Sequence, residues 1–325
     1  MIAARFVLAG MLALGCSLAS VLPAASQSYP ARQITLIVPA TAGGSNDTIA
    51  RIVAERMGKT LGQSIIIENV GGAGGTTAAR RTAQAVPDGY TIMAGNLGTH
   101  GAAPAQYTDL RYDPAIDFTP IGLMAGAPAV LVIRKDLPVK TLKEFVDYVR
   151  QNQAKVNEAH AGVGSQMHTF CTLLHSLMGT KTARIAYRGG VPAITDVMTG
   201  QADFSCISLN SVVGQIQGGT IRAIAVASPE RAEVIKDVPT AKEGGFPEFQ
   251  VSSWNALFAP KDLPRHIAAK LNGALIEALD DAETRRKLLD IGTVIPRKAE
   301  RTPQALQKLV ASEVARWSAV LKEAK

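Results

Sequence analysis

Two kinds of apolar spacing alternate along the chain. Short uninterrupted runs read as buried strands, and runs with three- and four-residue spacing read as helices. Leu36, Ile37 and Val38 form a strand that Pro39 stops, and the glycine pair Gly43-Gly44 follows. Ile49, Ile52, Val53 and Met57 then mark a helix closed by Lys59 and Gly62, with Ser45, Asn46 and Asp47 offering N-cap chemistry at its start. A second strand at 64–69 leads into the glycine run 71–75, a helix over about 76–86, a Pro87-Asp88-Gly89 turn and a strand at 90–94. Residues 95–120 read as loop-rich, and 121–134 as one long apolar stretch interrupted by Gly126 and Pro128.

The alternation then resumes. Thr141-Leu-Lys-Glu144 is a capping box opening a helix to about Asn152, followed by a strand at 156–161 and the turn 162–165. A helix to Met178, a strand at 183–187, a helix at 191–199 and a strand at 202–208 come next. A short helix at 212–217 and a strand at 221–227 complete this set. Residues 250–258 read as a returning strand, and three helices end the chain at 264–279, 283–291 and 302–324. Strands that are apolar throughout, alternating with helices, predict an α/β protein whose parallel sheet is covered on both faces.

With 325 residues the chain has room for two domains. The pattern divides it into 29–125 plus 255–325 as one discontinuous domain and 126–254 as the other, with a signal peptide at 1–28. Arg5, the apolar 6–18 and the small residues Ala24, Ala25 and Ser26 have the composition of an export signal cleaved near Ser26/Gln27. Ala13-Leu14-Gly15-Cys16 is a poor lipoprotein box, so no lipid anchor at Cys16 is expected. Past the signal, Cys171 and Cys206 form an even pair in an oxidising compartment. A disulfide is one reading; two buried free thiols is the expected one.

Composition changes the picture little. Apolar residues make up 47%, aromatics 5%, and the net charge of +7 is spread along the chain without a basic block or aromatic platform. Nucleic acid is therefore not an expected partner. The five histidines have no metal-ligand spacing, and neither metal nor cofactor is expected. His168 and His175 lie seven apart on one helix, expected as one site-lining and one surface histidine.

Candidate chemistry lies in the glycine turns. A strand, a glycine turn and a helix start offer free N–H groups at the positive end of a helix dipole, which is an anion site. Gly43-Gly44 has this form, and Gly162-Val-Gly-Ser165 repeats it. The run 71–75 resembles a dinucleotide fingerprint only loosely, since Thr77 stands where the third glycine belongs and no acidic residue follows at the required interval. Ser165 lacks the Gly-x-Ser-x-Gly elbow of a nucleophile, and His168 on the same helix is badly placed as its base. Tyr187-Arg188-Gly189-Gly190 could present Arg188 or backbone N–H groups to a second carboxylate, and Asp203 either orients that loop or touches ligand.

Together these motifs resemble the receptor components of tripartite tricarboxylate transporters, the Bug-type solute receptors. The resemblance rests on Tyr29-Pro30, Ile34 through Pro39, Gly43-Gly44 with Asp47 and Ala50-Arg51, and Glu68-Asn69. It continues through Gly72 to Gly75, Pro87-Asp88-Gly89-Tyr90, Gly164-Ser165 with His168, Tyr187-Arg188-Gly189, Val238-Pro239-Thr240 and Trp254, across the whole chain after the signal. It implies a type II periplasmic-binding-protein fold, two α/β domains with parallel-rich sheets joined by crossover hinge strands, that closes on its ligand. It implies a periplasmic, non-enzymatic, monomeric receptor for a small organic acid, a di- or tricarboxylate or an aromatic acid, delivered to inner-membrane permease subunits. A receptor presenting ligand to a sensor protein, or an exported serine hydrolase using Ser165, are the alternatives. The site implied is Gly43, Gly44, Ser45 and Asp47 with Asn96 and Thr99 on one side, and Gly164, Ser165, His168, Tyr187 and Gly189 on the other; the residues themselves add Thr41, Arg188 and Asp203 as candidates. Two departures stand out. Ala40-Thr41-Ala42 replaces the usual phenylalanine–any–proline, and Ile207 stands where many members carry aspartate, which points to a plain carboxylate with an apolar body.

Overall fold

Pro39 ends the first strand, and the chain then rises into the first helix. In the computed structural model, which describes residues 29–323, β1 (Ile34–Val38) is followed by α1 (Ser45–Leu61), β2 (Ile65–Asn69), α2 (Thr76–Ala83) and β3 (Thr91–Asn96). The expected signal peptide and its cleavage site lie outside the described residues. The stretch 95–120 is less irregular than its sequence suggests. A wide helical turn at Gly98–Ala102 runs into α3 (Ala103–Gln106), and β4 (Phe118–Arg134) begins where the loop was expected to end.

The second set is α4 (Leu142–Gln151), β5 (Asn157–His160), α5 (Gln166–Met178), β6 (Ala183–Ala186), α6 (Gly190–Thr199), β7 (Phe204–Ser208), α7 (Val213–Gln217) and β8 (Ile221–Val226). Then come β9 (Ser252–Pro260), α8 (Arg265–Asp280), α9 (Ala282–Asp290) and α10 (Pro303–Glu323). The strands form one sheet in the order β2-β1-β3-β9-β4-β7-β5-β6, with β8 also on β4. Both ends of the sheet are parallel, as in β1–β2, β1–β3, β5–β6 and β5–β7. Its centre is antiparallel, because β4 and β9 run across against their neighbours.

β4 carries the chain from one half to the other. Its residues Phe118–Pro128 pair with β9, and Ala129–Ile133 pair with β7. The apolar length of β4, buried on nearly every residue from Ala127 to Ile133, gives it two faces covered by helices. One core gathers Ile34, Leu36, Ile49, Val53, Leu271 and Leu275 between β1, α1 and α8. Another gathers Val130, Val132, Ile194, Val197 and Leu209 around β4 and α6. Trp317 of α10 is fully buried, and its indole N–H donates to Glu313 Oε2 at 3.0 Å.

Cys171 on α5 and Cys206 on β7 are joined in a disulfide, with their Cα atoms 5.3 Å apart. The free-thiol expectation is corrected: α5 packs on β7 in the register that brings both sulfurs together, and a linear pattern carries no record of that register. Among the described residues no helix is long and apolar enough to cross a membrane.

Candidate ligand-binding site

Parallel strands deliver their following loops to one edge of the sheet, and ligands of such sheets bind outside the carboxyl ends of the strands. Here the loops after β1, β5, β6 and β7 meet around a cavity of about 340 Å³. Pro39 to Asn46 form one wall, with Gly71, Gly72, Gly74, Gly75 and Asn96 beside them. The opposite wall is Ala161, Ser165 to Met167, Arg188 to Val191, Ile194, Met198, Ile207 and Ser208.

Three helices start at this cavity. The first-turn N–H groups of an α-helix have no partner inside it. Gly44 precedes α1 and Gly189 precedes α6, and neither start is closed by a side chain. Ser45, Asn46 and Asp47 were expected to cap α1, yet each has other work. The Ser45 hydroxyl donates to Asn210 Oδ1 at 2.7 Å, Asn46 turns into the sheet, and Asp47 accepts from Gly43 N at 2.8 Å. At α5 the Ser165 Oγ does cap, accepting from the His168 backbone N–H at 3.2 Å, and it donates to no partner among the described residues.

Of the residues expected in the site, Thr41, Gly43, Gly44, Ser45, Asn96, Ser165, Arg188 and Gly189 line the cavity. Asn96 and Thr99 lock each other, Asn96 N donating to Thr99 Oγ1 at 3.0 Å and Thr99 N to Asn96 Oδ1 at 3.1 Å, so Thr99 is wholly buried behind the wall. Arg188 is the sole charged residue among those lining the cavity, and it makes no ion pair or hydrogen bond among the described residues.

The other expected residues stand behind the surface. Asp47 is 2% exposed and holds the loop, accepting also from Arg51 Nε and Asn69 Nδ2, each at 2.9 Å. Burial would raise its pKa, but hydrogen bonds from Arg51, Gly43 N and Asn69 outweigh it and hold the carboxyl below its usual range. Gly164 is buried against the Tyr107 ring. The Tyr187 hydroxyl donates to Asp196 Oδ2 at 2.5 Å, turned along α6. Asp203 sits at the opposite end of β7 from the cavity, where it accepts from Arg134 Nε at 2.9 Å and Asn157 N at 2.8 Å. Strand β7 brings its other end, Ile207 and Ser208, to the ligand edge.

His168 is likewise behind the wall. Its Nε2 accepts from Arg184 Nη1 at 3.3 Å and its ring lies 4.9 Å from that of His160. His175, expected at the surface, is 4% exposed and contacts buried Glu158 through Nε2 at 2.9 Å. The surface expectation for His175 is corrected, and the cause is packing: α5 is covered by β7 and its His175 ring is turned onto buried Glu158 of β5. Ser165 therefore has no imidazole on its hydroxyl, and its arrangement is that of a helix cap, not of an activated nucleophile.

Sequence reasoning singled out Ile207 but passed over the rest of the apolar wall, Met167, Val191, Ile194 and Met198. The signal was present, since 191, 194 and 198 repeat at helical spacing. Such a stripe reads as core until the structure leaves part of it bordering a cavity.

A model of the tripartite tricarboxylate transporter family receptor matches residues 49–325. The chain belongs to that family. It is similar over 90% of its length to the whole of MatC from Rhodopseudomonas palustris, solved with bound malate, at 44% identity and a TM-score of 0.88. It resembles the periplasmic binding protein BugD at 36% identity, over 91% of this chain and 98% of that one, with a TM-score of 0.88. A further R. palustris protein, solved with adipate, is 33% identical over 91% of this chain and 98% of its own, with a TM-score of 0.87. The receptor thus has the periplasmic-binding-protein fold, and its family is one of solute receptors, not of enzymes.

Proposed function

We propose that this receptor captures a small organic carboxylate between two α/β domains and hands it to the permease subunits of a tripartite transporter. One observation carries the reading: the starts of α1, α5 and α6 converge on a cavity whose lining includes one cation, Arg188, and no carboxylate. Oriented N–H groups and a guanidinium favour an anion there, each charge-assisted bond contributing roughly 1.5–3 kcal/mol. The malate and adipate of the two R. palustris relatives support it. The apolar wall around Ile194 and Ile207 suits a ligand with an apolar body and offers no partner to an ammonium group.

Residues 29–125 with 255–325, and 126–254, act as the two closing domains; the change of partner along β4 between Pro128 and Ala129 supports a hinge there. Thr41, Gly43, Gly44, Ser45, Asn96, Ser165, Arg188 and Gly189 contact ligand, and Asp47 and Thr99 hold the first-wall loops. The receptor works as a monomer in the periplasm.

A thermal-shift screen of the chain from Gln27 onward against mono-, di- and tricarboxylates tests the reading. A tight ligand at a hundred times its Kd raises stability by about 2.7 kcal/mol. A melting temperature moved by a sugar or a cation, and by no carboxylate, overturns it.

A further inference from the structure

Three buried side-chain atoms without a partner among the described residues belong to residues lining this cavity: Thr41 Oγ1, Asn46 Oδ1 and Gln166 Nε2. Buried polar atoms are rarely left unpaired, so each of the three asks for a partner. They ask for different things. Gln166 Nε2 is a donor and a carboxylate oxygen satisfies it. Thr41 is a hydroxyl and takes either role. Asn46 Oδ1 is an acceptor, and a carboxylate brought to it adds only repulsion.

The orientation of Asn46 is fixed by chemistry. Its Nδ2 donates to the Ala94 carbonyl at 2.9 Å and to Asn255 Oδ1 at 2.8 Å, while Asn255 Nδ2 donates to the Ala125 carbonyl at 3.2 Å. Backbone carbonyls only accept, so neither amide can be turned over, and the atom left over on Asn46 is its oxygen. The residue is 3% exposed and stands in the first turn of α1. Asn46 is one of the residues lining the cavity there, where the first-turn N–H groups of α1 are also presented.

We infer that the ligand is a hydroxylated carboxylic acid whose hydroxyl donates to Asn46 Oδ1. The inference rests on the carboxylate reading above and narrows its substrate class. An ammonium donor is disfavoured, because the lining presents helix N-termini and Arg188 with no carboxylate to balance it.

Matched acids differing by one hydroxyl test this in calorimetric titrations of the wild-type protein: malate with succinate, 2-hydroxyglutarate with glutarate, and 3-phenyllactate with 3-phenylpropionate. In each pair that binds, the hydroxylated acid is held about tenfold to a hundredfold more tightly, because its deoxy partner leaves the buried oxygen unpaired. Asn46→Ala collapses that ratio toward one. Equal affinities within every binding pair mean that water fills the position, and they overturn the inference while leaving the carboxylate reading intact. Aspartate binding as tightly as malate assigns the donor to an ammonium and also overturns it. Binding of none of these or any other carboxylate removes both readings together.

Discussion

His168, a residue of a family motif, is not among the residues lining the cavity. It accepts from Arg184 through Nε2, which requires the neutral ring. Burial, with His160 and Arg184 nearby, pulls its pKa from 6.5 down to about 4. Unfolded chains protonate this histidine near 6.5, so between there and about 4 the unfolded state binds the extra proton. The stabilisation is present above 6.5 and is lost as pH falls toward about 4. The melting temperature is expected to drop between pH 7 and pH 5, and less steeply in His168→Gln. His160, also shifted down by burial, leaves a residual slope of the same sign. An unchanged slope in the variant contradicts the half-buried neutral ring.

Elements matter through their starts and their ties. The start of α5 lines the cavity at Ser165 to Met167, and further along the same helix Cys171 is bonded to Cys206 of β7 across 35 residues of chain. Closing a loop of that length in the unfolded state stabilises by on the order of 3–4 kcal/mol. Cys171→Ala with Cys206→Ala is expected to lose about that much in a urea titration, and reduction of the wild type to lose a similar amount. Equal stability of oxidised and reduced protein would mean that the thiols are free.

Across the whole molecule the two walls touch through small residues. A Cβ on Gly189, whose φ is +127°, would lie 2.5 Å from Thr41 Oγ1, and one on Gly74 would lie 2.5 Å from the Val163 carbonyl oxygen. The Tyr107 hydroxyl donates to that same oxygen at 2.5 Å, and Gln106 Nε2 donates to Thr169 Oγ1 at 3.1 Å. Gly189→Ala combines positive-φ backbone strain of roughly 1–3 kcal/mol with a wedge between the walls. A loss of affinity of about tenfold or more is expected by titration with the best ligand of the screen, partly restored by adding Thr41→Ala. Wild-type affinity in the single variant would show that the walls need not meet.

The order of strands and helices, the glycine turns at the carboxyl ends of the strands and the family membership were all legible along the chain. Each is recorded locally, in apolar period, in the residues that turns require and in motif order. The packing decided the rest. It gave Asp47 to its own loop, kept Asp203 at the far end of β7 while Ile207 reached the cavity, and joined Cys171 to Cys206. It also turned the Asn46 amide so that its oxygen was left without a donor. Apolar period says which residues share a face of an element, whereas the neighbour brought against that face decides whether it becomes core, wall or binding surface.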